Sequence, residues 1–142
     1  MARPIYPCLW FQHEAKAAAD FYCFVFPNSR ILNESPIVVN FELNGRPFMA
    51  LNDKRPPQDF NESVSFVISC DDQQEIDYYW NKFTANGGKE SMCGWCKDKF
   101  GISWQVVPTI LGDLMSDPAK APRVIAAFLK MKKFDIERLK NA

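Results

Sequence analysis

Cys93-Gly94-Trp95-Cys96 is the string in this chain that most resembles reactive chemistry. Two cysteines separated by two residues form the dithiol of thioredoxin-like oxidoreductases, in which a helix N-terminus lowers the pKa of the attacking thiol. Here the string runs into hairpin and strand residues, a context that supplies no such dipole. A zinc site would need two further ligands at finger spacing, and these are missing. The single histidine, His13, falls at a strand-to-helix junction and reads as a solvated or capping residue. Asp71 and Asp72 are paired carboxylates at a helix start, where capping and dipole compensation account for them. The only glycine pair, Gly87-Gly88, follows a helix and precedes a strand. That placement is a helix stop and not the glycine-rich turn after a parallel strand that cradles a nucleotide-derived cofactor.

The elements that must position these residues are legible in the periodicity. A first amphipathic helix is predicted over about 14–26, with Ala15, Ala18, Ala19, Tyr22 and Phe26 on one stripe and Pro27 ending it. A second is predicted over about 72–86, with Asp72 and Glu75 as a capping box and Ile76, Tyr79, Trp80 and Phe83 as its apolar stripe. Strands precede both, over 6–11 and 64–70. After the first helix, strands over 37–43 and 46–52 flank Asn44-Gly45, a two-residue hairpin signal. After the second, strands over 89–96 and 102–107 flank the segment 97–101. Strand, helix and hairpin thus occur twice, about fifty-five residues apart, as an internal duplication of architecture. The last third is again helical: a short helix over 108–115, another begun by Asp117-Pro118 with Val124, Ile125, Phe128 and Met131 on one face, and a final turn capped by Asp135. Such an apolar face must pack on its own sheet or on a partner subunit.

Composition narrows the function classes. A chain of 142 residues with 47% hydrophobic and 14% aromatic content fits one core-bearing domain. Seventeen basic residues balance seventeen acidic ones, so the field that draws proteins to nucleic acid or anionic lipid is missing. Residues 1–7 hold no long apolar run or small-residue cleavage site, and no later stretch is long enough to span a bilayer. A soluble, cytoplasmic protein is expected, with its five cysteines mostly reduced.

Local words then make the pattern specific. Leu9-Trp10-Phe11, Ala18-Ala19-Asp20-Phe21-Tyr22, Phe26-Pro27-Asn28-Ser29, Phe48-Met49-Ala50-Leu51-Asn52, the run from Asp71 to Asp77, Cys93-Gly94-Trp95, and the run from Lys97 to Pro108 together resemble the PhnB-like family of the vicinal-oxygen-chelate (glyoxalase/bleomycin-resistance) superfamily, whose members often carry the label 3-demethylubiquinone-9 3-methyltransferase. The resemblance spans nearly the whole chain. It implies an α+β fold of two βαβββ modules, at about 4–56 and 60–108, with a helical tail at about 109–142, in one glyoxalase-like domain. It also implies curved sheets around a cavity, helices on the convex face, and commonly a homodimer.

In metal-using relatives four ligands, from the first and last strand of each module, project into that cavity. By register these positions fall at Tyr6, Met49, Ser65 and Gln105. Met, Ser and a lone Gln amide are weak donors for the usual divalent ions, so no metal and no cofactor are expected. Strand alternation then places Trp10, Asn40, Glu42, Met49, Ser65 and Gln105 on the cavity side, with Ser63, Val67, Ser69, Ser103 and Val107 on the same face as Ser65 and Gln105 and with Trp95 near the rim. That mixture suits a moderately polar organic ligand better than a phosphate. Three readings follow. One is a metal-independent small-molecule-binding module. Another is an enzyme, either lyase-like with a weakly bound metal, methyl-transferring as the family label says, or using Glu42 as acid/base. The third is a structural or regulatory partner with a vestigial cavity.

Overall fold

The computed structural model describes residues 3–55 and 59–142. It divides into two compact units, Met1–Asp59 and Phe60–Ala142. No helix among the described residues is long and apolar enough to cross a membrane.

In the first unit β1 (Cys8–Phe11), α1 (Ala15–Val25), β2 (Arg30–Glu34), β3 (Val38–Leu43) and β4 (Arg46–Asn52) form a four-stranded sheet in the order β1-β4-β3-β2, with one helix. β1 runs parallel to β4, and the other pairs are antiparallel. The predicted helix stops one residue early. Phe26 is extended at φ −92°, ψ 137°, because the ring of Pro27 excludes the helical conformation from its predecessor, and Val25 takes the buried place expected of Phe26. Ala15, Ala18 and Ala19 carry no bulk on the buried stripe, so the helix lies close against Val39, Phe41 and Ala50. Its N-terminus has no local side-chain cap. Asn52, at the end of β4, accepts from Ala15 N at 2.9 Å instead. The hairpin pairs Leu43 with Arg46 around Asn44 and Gly45, both at positive φ, as that dipeptide requires.

In the second unit β5 (Ser65–Cys70), α2 (Gln73–Thr84), β6 (Lys89–Glu90), β7 (Trp95–Lys97) and β8 (Ser103–Pro108) repeat the order as β5-β8-β7-β6, with β5 parallel to β8. Asp72 caps α2 by accepting from Glu75 N at 2.8 Å, as the sequence predicts. Ile76, Trp80 and Phe83 are buried beneath it, and Phe83 stacks on Trp104 at 4.5 Å. The segment between β7 and β8 turns on Asp98, which is only 2% exposed. Its carboxylate accepts from Phe100 N at 2.8 Å, Ile102 N at 3.1 Å and Trp104 Nε1 at 2.9 Å.

Two expectations need correction, and one strand rests on the resemblance alone. β2 is implied by the βαβββ pattern but has no periodic signal: its exposed Arg-Ile-Leu-Asn-Glu pattern shows no alternation, because it is an edge strand that also carries a bulge between Ile31 and Asn33. The strand expected over 89–96 is broken in two by Cys93 and Gly94, whose φ values of 59° and 80° no strand accommodates. The second tail helix begins at Ala121 with Pro122 in its first turn, not at Pro118, while Asp117 closes a separate turn through Ala119 N.

The tail comprises α3 (Ile110–Met115), α4 (Ala121–Phe128) and α5 (Ile136–Lys140), and part of its apolar surface is covered inside its own unit. Val124, Met131, Phe134 and Leu139 are buried, and Asp135 caps α5 through Arg138 N at 3.1 Å. Gln73 clamps the tail, donating from Nε2 to Phe134 O at 2.9 Å and accepting at Oε1 from Ile136 N at 2.9 Å. Cys93 N and Gly94 N donate to Met131 O and Lys132 O, both at 2.8 Å. Of the stripe Val124, Ile125, Phe128 and Met131, the first and last are thereby buried within the unit and the other two are half-buried.

Two substitutions test this frame. A Cβ at Gly94 would stand 2.7 Å from Val106 O and inside the Phe134 ring, at a φ of 80°. Gly94→Ala should therefore cost about 2–4 kcal/mol in chemical denaturation, combining left-handed strain with overpacking. Asp98→Ala orphans three donors and should cost about 3 kcal/mol or more. A loss below about 1 kcal/mol in either variant would contradict the packing described.

Candidate functional site

Each sheet has one face sealed by its helix and one that is not. In the first unit the odd-numbered β1 and β3 residues Leu9, Phe11, Val39, Phe41 and Leu43 are buried under α1. Their even-numbered neighbours Trp10, Asn40 and Glu42, with Met49 from β4, lie half-buried on the opposite, open face. The register puts Asn40 opposite Met49, Glu42 opposite Pro47, and Trp10 beside Leu51. Each polar group there already has a partner. Asn40 Nδ2 donates to Asn33 Oδ1 at 2.8 Å, Arg30 Nε donates to Glu42 Oε1 at 2.9 Å, and Trp10 Nε1 donates to Asp53 O at 3.1 Å. The Arg55 guanidinium lies 5.9 Å from the Trp10 ring centroid. Glu42 is thus engaged with Arg30, which weakens the case for it as a general base.

In the second unit Phe66, Cys96, Trp104 and Val106 point to α2, and Ser65, Val67, Trp95, Lys97, Ser103 and Gln105 share the open face. Gln105 sits between Val67 on β5 and Trp95 on β7 in one cross-strand row, so the three share the open face. Gln105 Nε2 donates to Ser65 Oγ at 3.0 Å. Val67 is 59% exposed, an apolar side chain left uncovered beside this amide–hydroxyl pair. The next row runs Ser65, Ser103, Lys97 and Lys89, the last directly opposite Lys97. A recess of about 470 Å³ opens along this row, with Trp95 and Met92 among its walls. Lys97 and Glu62 form an ion pair at 2.8 Å there, and the ammonium holds the Glu62 carboxyl below its ordinary range.

The sequence places Trp10, Asn40, Glu42, Met49, Ser65 and Gln105 around one cavity with Trp95 near its rim; in the structure the first four share the open face of the first sheet, and Ser65, Gln105 and Trp95 share that of the second. Sequence reasoning passed over Lys89, Lys97 and Glu62. Lys97 could have been found by alternation from Trp95 and Lys89 by pairing with it, but the break at Cys93 and Gly94 hid the register of β6.

The expected metal positions keep the same offset in both units: Tyr6 stands two residues before Cys8, the partner of Met49, as Ser65 stands two before Val67, the partner of Gln105, although Tyr6 itself precedes β1. Ser65 and Gln105 are bonded to each other, and among the described residues no three His, Cys, Asp or Glu side chains gather into an ion-holding group. These donors do not fit the imidazole–carboxylate set of a mononuclear divalent site. Nor is there a fit for a cofactor cradled on glycine amides: the connections at 12–14 and 71–72, which follow the parallel-paired strands, contain no glycine. His13 is an exposed surface residue whose Nε2 lies 3.3 Å from Glu14 Oε1. Cys96 is buried on the α2 side, where burial first, and then Asp98 and Glu90, push its thiol up to about 12. Such a thiol is a poor nucleophile.

Comparison with known proteins follows the same architecture. The family model described as 3-demethylubiquinone-9 3-methyltransferase matches residues 3–107. The PhnB protein of Bacillus cereus, provisionally described as a 3-demethylubiquinone-9 3-methyltransferase, is 26% identical, with a TM-score of 0.68 over 75% of this chain and 100% of that one. A glyoxalase-related enzyme from Fulvimarina pelagi is 14% identical, with a TM-score of 0.57 over 77% and 89% of the two chains. A glyoxalase/bleomycin resistance protein from Albidiferax ferrireducens T118 is 12% identical, with a TM-score of 0.52 over 72% and 95%. The last two show likeness of fold alone. No curated protein matches the chain.

Two measurements check these assignments. Protein purified without chelator should carry far less than one divalent ion per chain; stoichiometric zinc, nickel or iron, lost on Gln105→Ala, would contradict the donor argument. In the folded protein at pH 8, Cys96 should resist iodoacetamide, because a thiol titrating near 12 is almost wholly protonated there. Rapid alkylation of Cys96 would restore a redox reading.

Proposed function

The chain belongs to the 3-demethylubiquinone-9 3-methyltransferase family, the PhnB-like branch of the vicinal-oxygen-chelate superfamily, and we propose that it binds a small planar organic molecule without a tightly held metal and without covalent chemistry. The family's fold is a small-molecule-binding one. The row Val67–Gln105–Trp95 carries the proposal: a half-buried indole and an uncovered valine flank an amide already oriented by Ser65. An aromatic wall supplies area and stacking worth about 0.5–1.5 kcal/mol beyond burial, while a fixed amide sets orientation. On the first sheet Trp10, Asn40, Glu42 and Met49 form a second face of the same chemical kind, and we assign them to ligand binding as well.

Pairing of two copies of the chain is part of the proposal. It is supported by the exposed Val64, just before β5, and Leu129, at the end of α4, apolar groups left uncovered in the second unit. A cytoplasmic location is supported by the five cysteines, all free.

Titration with monocyclic aromatic amides and acids should quench tryptophan fluorescence saturably. Gln105→Ala should weaken that binding about tenfold, since an unmatched polar group costs about 1–3 kcal/mol, and Trp95→Ala or Trp10→Ala should reduce it too. None of the three should lower the melting temperature by more than a few degrees, because these side chains lie outside the helix-covered cores. Absence of saturable quenching across such a panel would overturn the binding proposal. Sedimentation at about tens of micromolar, a range suited to a weak protein association, should show a dimer.

A further inference from the structure

The row beside Gln105 holds two lysines and no acidic residue of its own. Lys97 and Lys89 face each other across an antiparallel pair, an arrangement that like charges disfavour. Of the two acidic side chains at the recess, Glu90 pairs with Cys96 in the sheet and turns to the α2 side, where it accepts from Trp80 Nε1 at 3.1 Å; Glu62 is the carboxylate paired with Lys97. Glu62 is an exposed side chain on the turn before β5, and so is free to move away at little cost. The same row contains the one buried side-chain polar atom among the described residues that lacks a hydrogen-bond partner: Ser103 Oγ, in a residue 2% exposed that lines the recess. A buried hydroxyl without a partner costs stability, and a ligand oxygen placed there would recover that cost.

We propose that this recess holds the carboxylate of the ligand, so that the molecule bound is a planar aromatic or conjugated carboxylic acid in its ionised form. The carboxylate takes the place of Glu62 at Lys97 Nζ, lies within the field of Lys89, and accepts from Ser103 Oγ–H, while the ring lies against Trp95 and reaches toward Gln105. The inference rests on the reading that the open face of the second sheet binds small organic molecules, and it adds the chemical class. Two ammonium groups and one hydroxyl donor suit a carboxylate, and the indole beside them gives an aromatic acid a stacking surface that inorganic phosphate cannot use.

The test uses the full chain with benzoate, benzamide and inorganic phosphate, followed by tryptophan fluorescence and calorimetry. Benzoate should bind at least tenfold more tightly than benzamide, and the preference should shrink as salt rises from about 50 to 500 mM. Lys97→Met should remove the preference, and Ser103→Ala should weaken benzoate severalfold. Glu62→Gln should tighten benzoate severalfold, because it removes the internal competitor; that exposed position keeps the test decisive if either strand variant folds poorly. Equal binding of benzoate and benzamide, an unchanged preference in Lys97→Met, or no gain in Glu62→Gln would overturn the proposal. So would phosphate competing as well as benzoate, since the recess would then be a general anion site. Benzamide binding without benzoate preference would remove this inference and leave the binding function standing, whereas silence from both aromatic probes would remove both.

Discussion

In each unit one helix lies across a four-stranded sheet, and it can seal only one face. Strand alternation turns that constraint into a sorting rule: every second residue goes to the helix-covered core, and those between are left for water or for a ligand. Small residues on α1 and the Phe83–Trp104 stack beneath α2 satisfy the rule in different ways, one by close approach and the other by a large aromatic layer. The half-buried residues assigned to ligand binding are those the rule leaves outside the core. Their positions are inherited from packing on the far side of the same strands.

The rule also shows why so much of the arrangement can be read from the sequence. The Asn44-Gly45 turn sets the register of β3 on β4, and from it Asn40, Glu42 and Met49 follow by counting in twos. The alternation in β8, with Trp104 and Val106 buried and Gln105 not, fixes the other face without any knowledge of partners. What escaped is equally physical. β2 is an exposed edge with no buried alternate, and therefore has no hydrophobic signal. The start of β1 is set by pairing with β4, a contact between residues some forty positions apart, and so the strand expected from Tyr6 begins only at Cys8. The Lys97–Lys89 pair was hidden because Cys93 and Gly94 interrupt what reads as one strand.

Cys93-Gly94-Trp95 shows how a motif can mislead through its chemistry while remaining informative through its geometry. The cysteine and glycine are left-handed, the glycine has no room for a side chain beside Phe134, and both amides are donated to the tail. The indole two residues after Cys93 is then turned to the open face, and the second cysteine to the core. The string reads as a corner with its contents sorted, and the spacing that suggests a dithiol is the spacing the corner needs.

That corner also ties the end of the chain to the recess wall. Releasing the segment around Met131 and Lys132 must break the hydrogen bonds from Cys93 N and Gly94 N, and these residues adjoin Met92 and Trp95, which line the recess. Local opening of the tail and occupancy of the recess therefore act on one shared turn. By linkage, a molecule that holds the turn in place must slow amide hydrogen exchange in the tail, and whatever frees the tail must loosen the hold on that molecule by the same free energy.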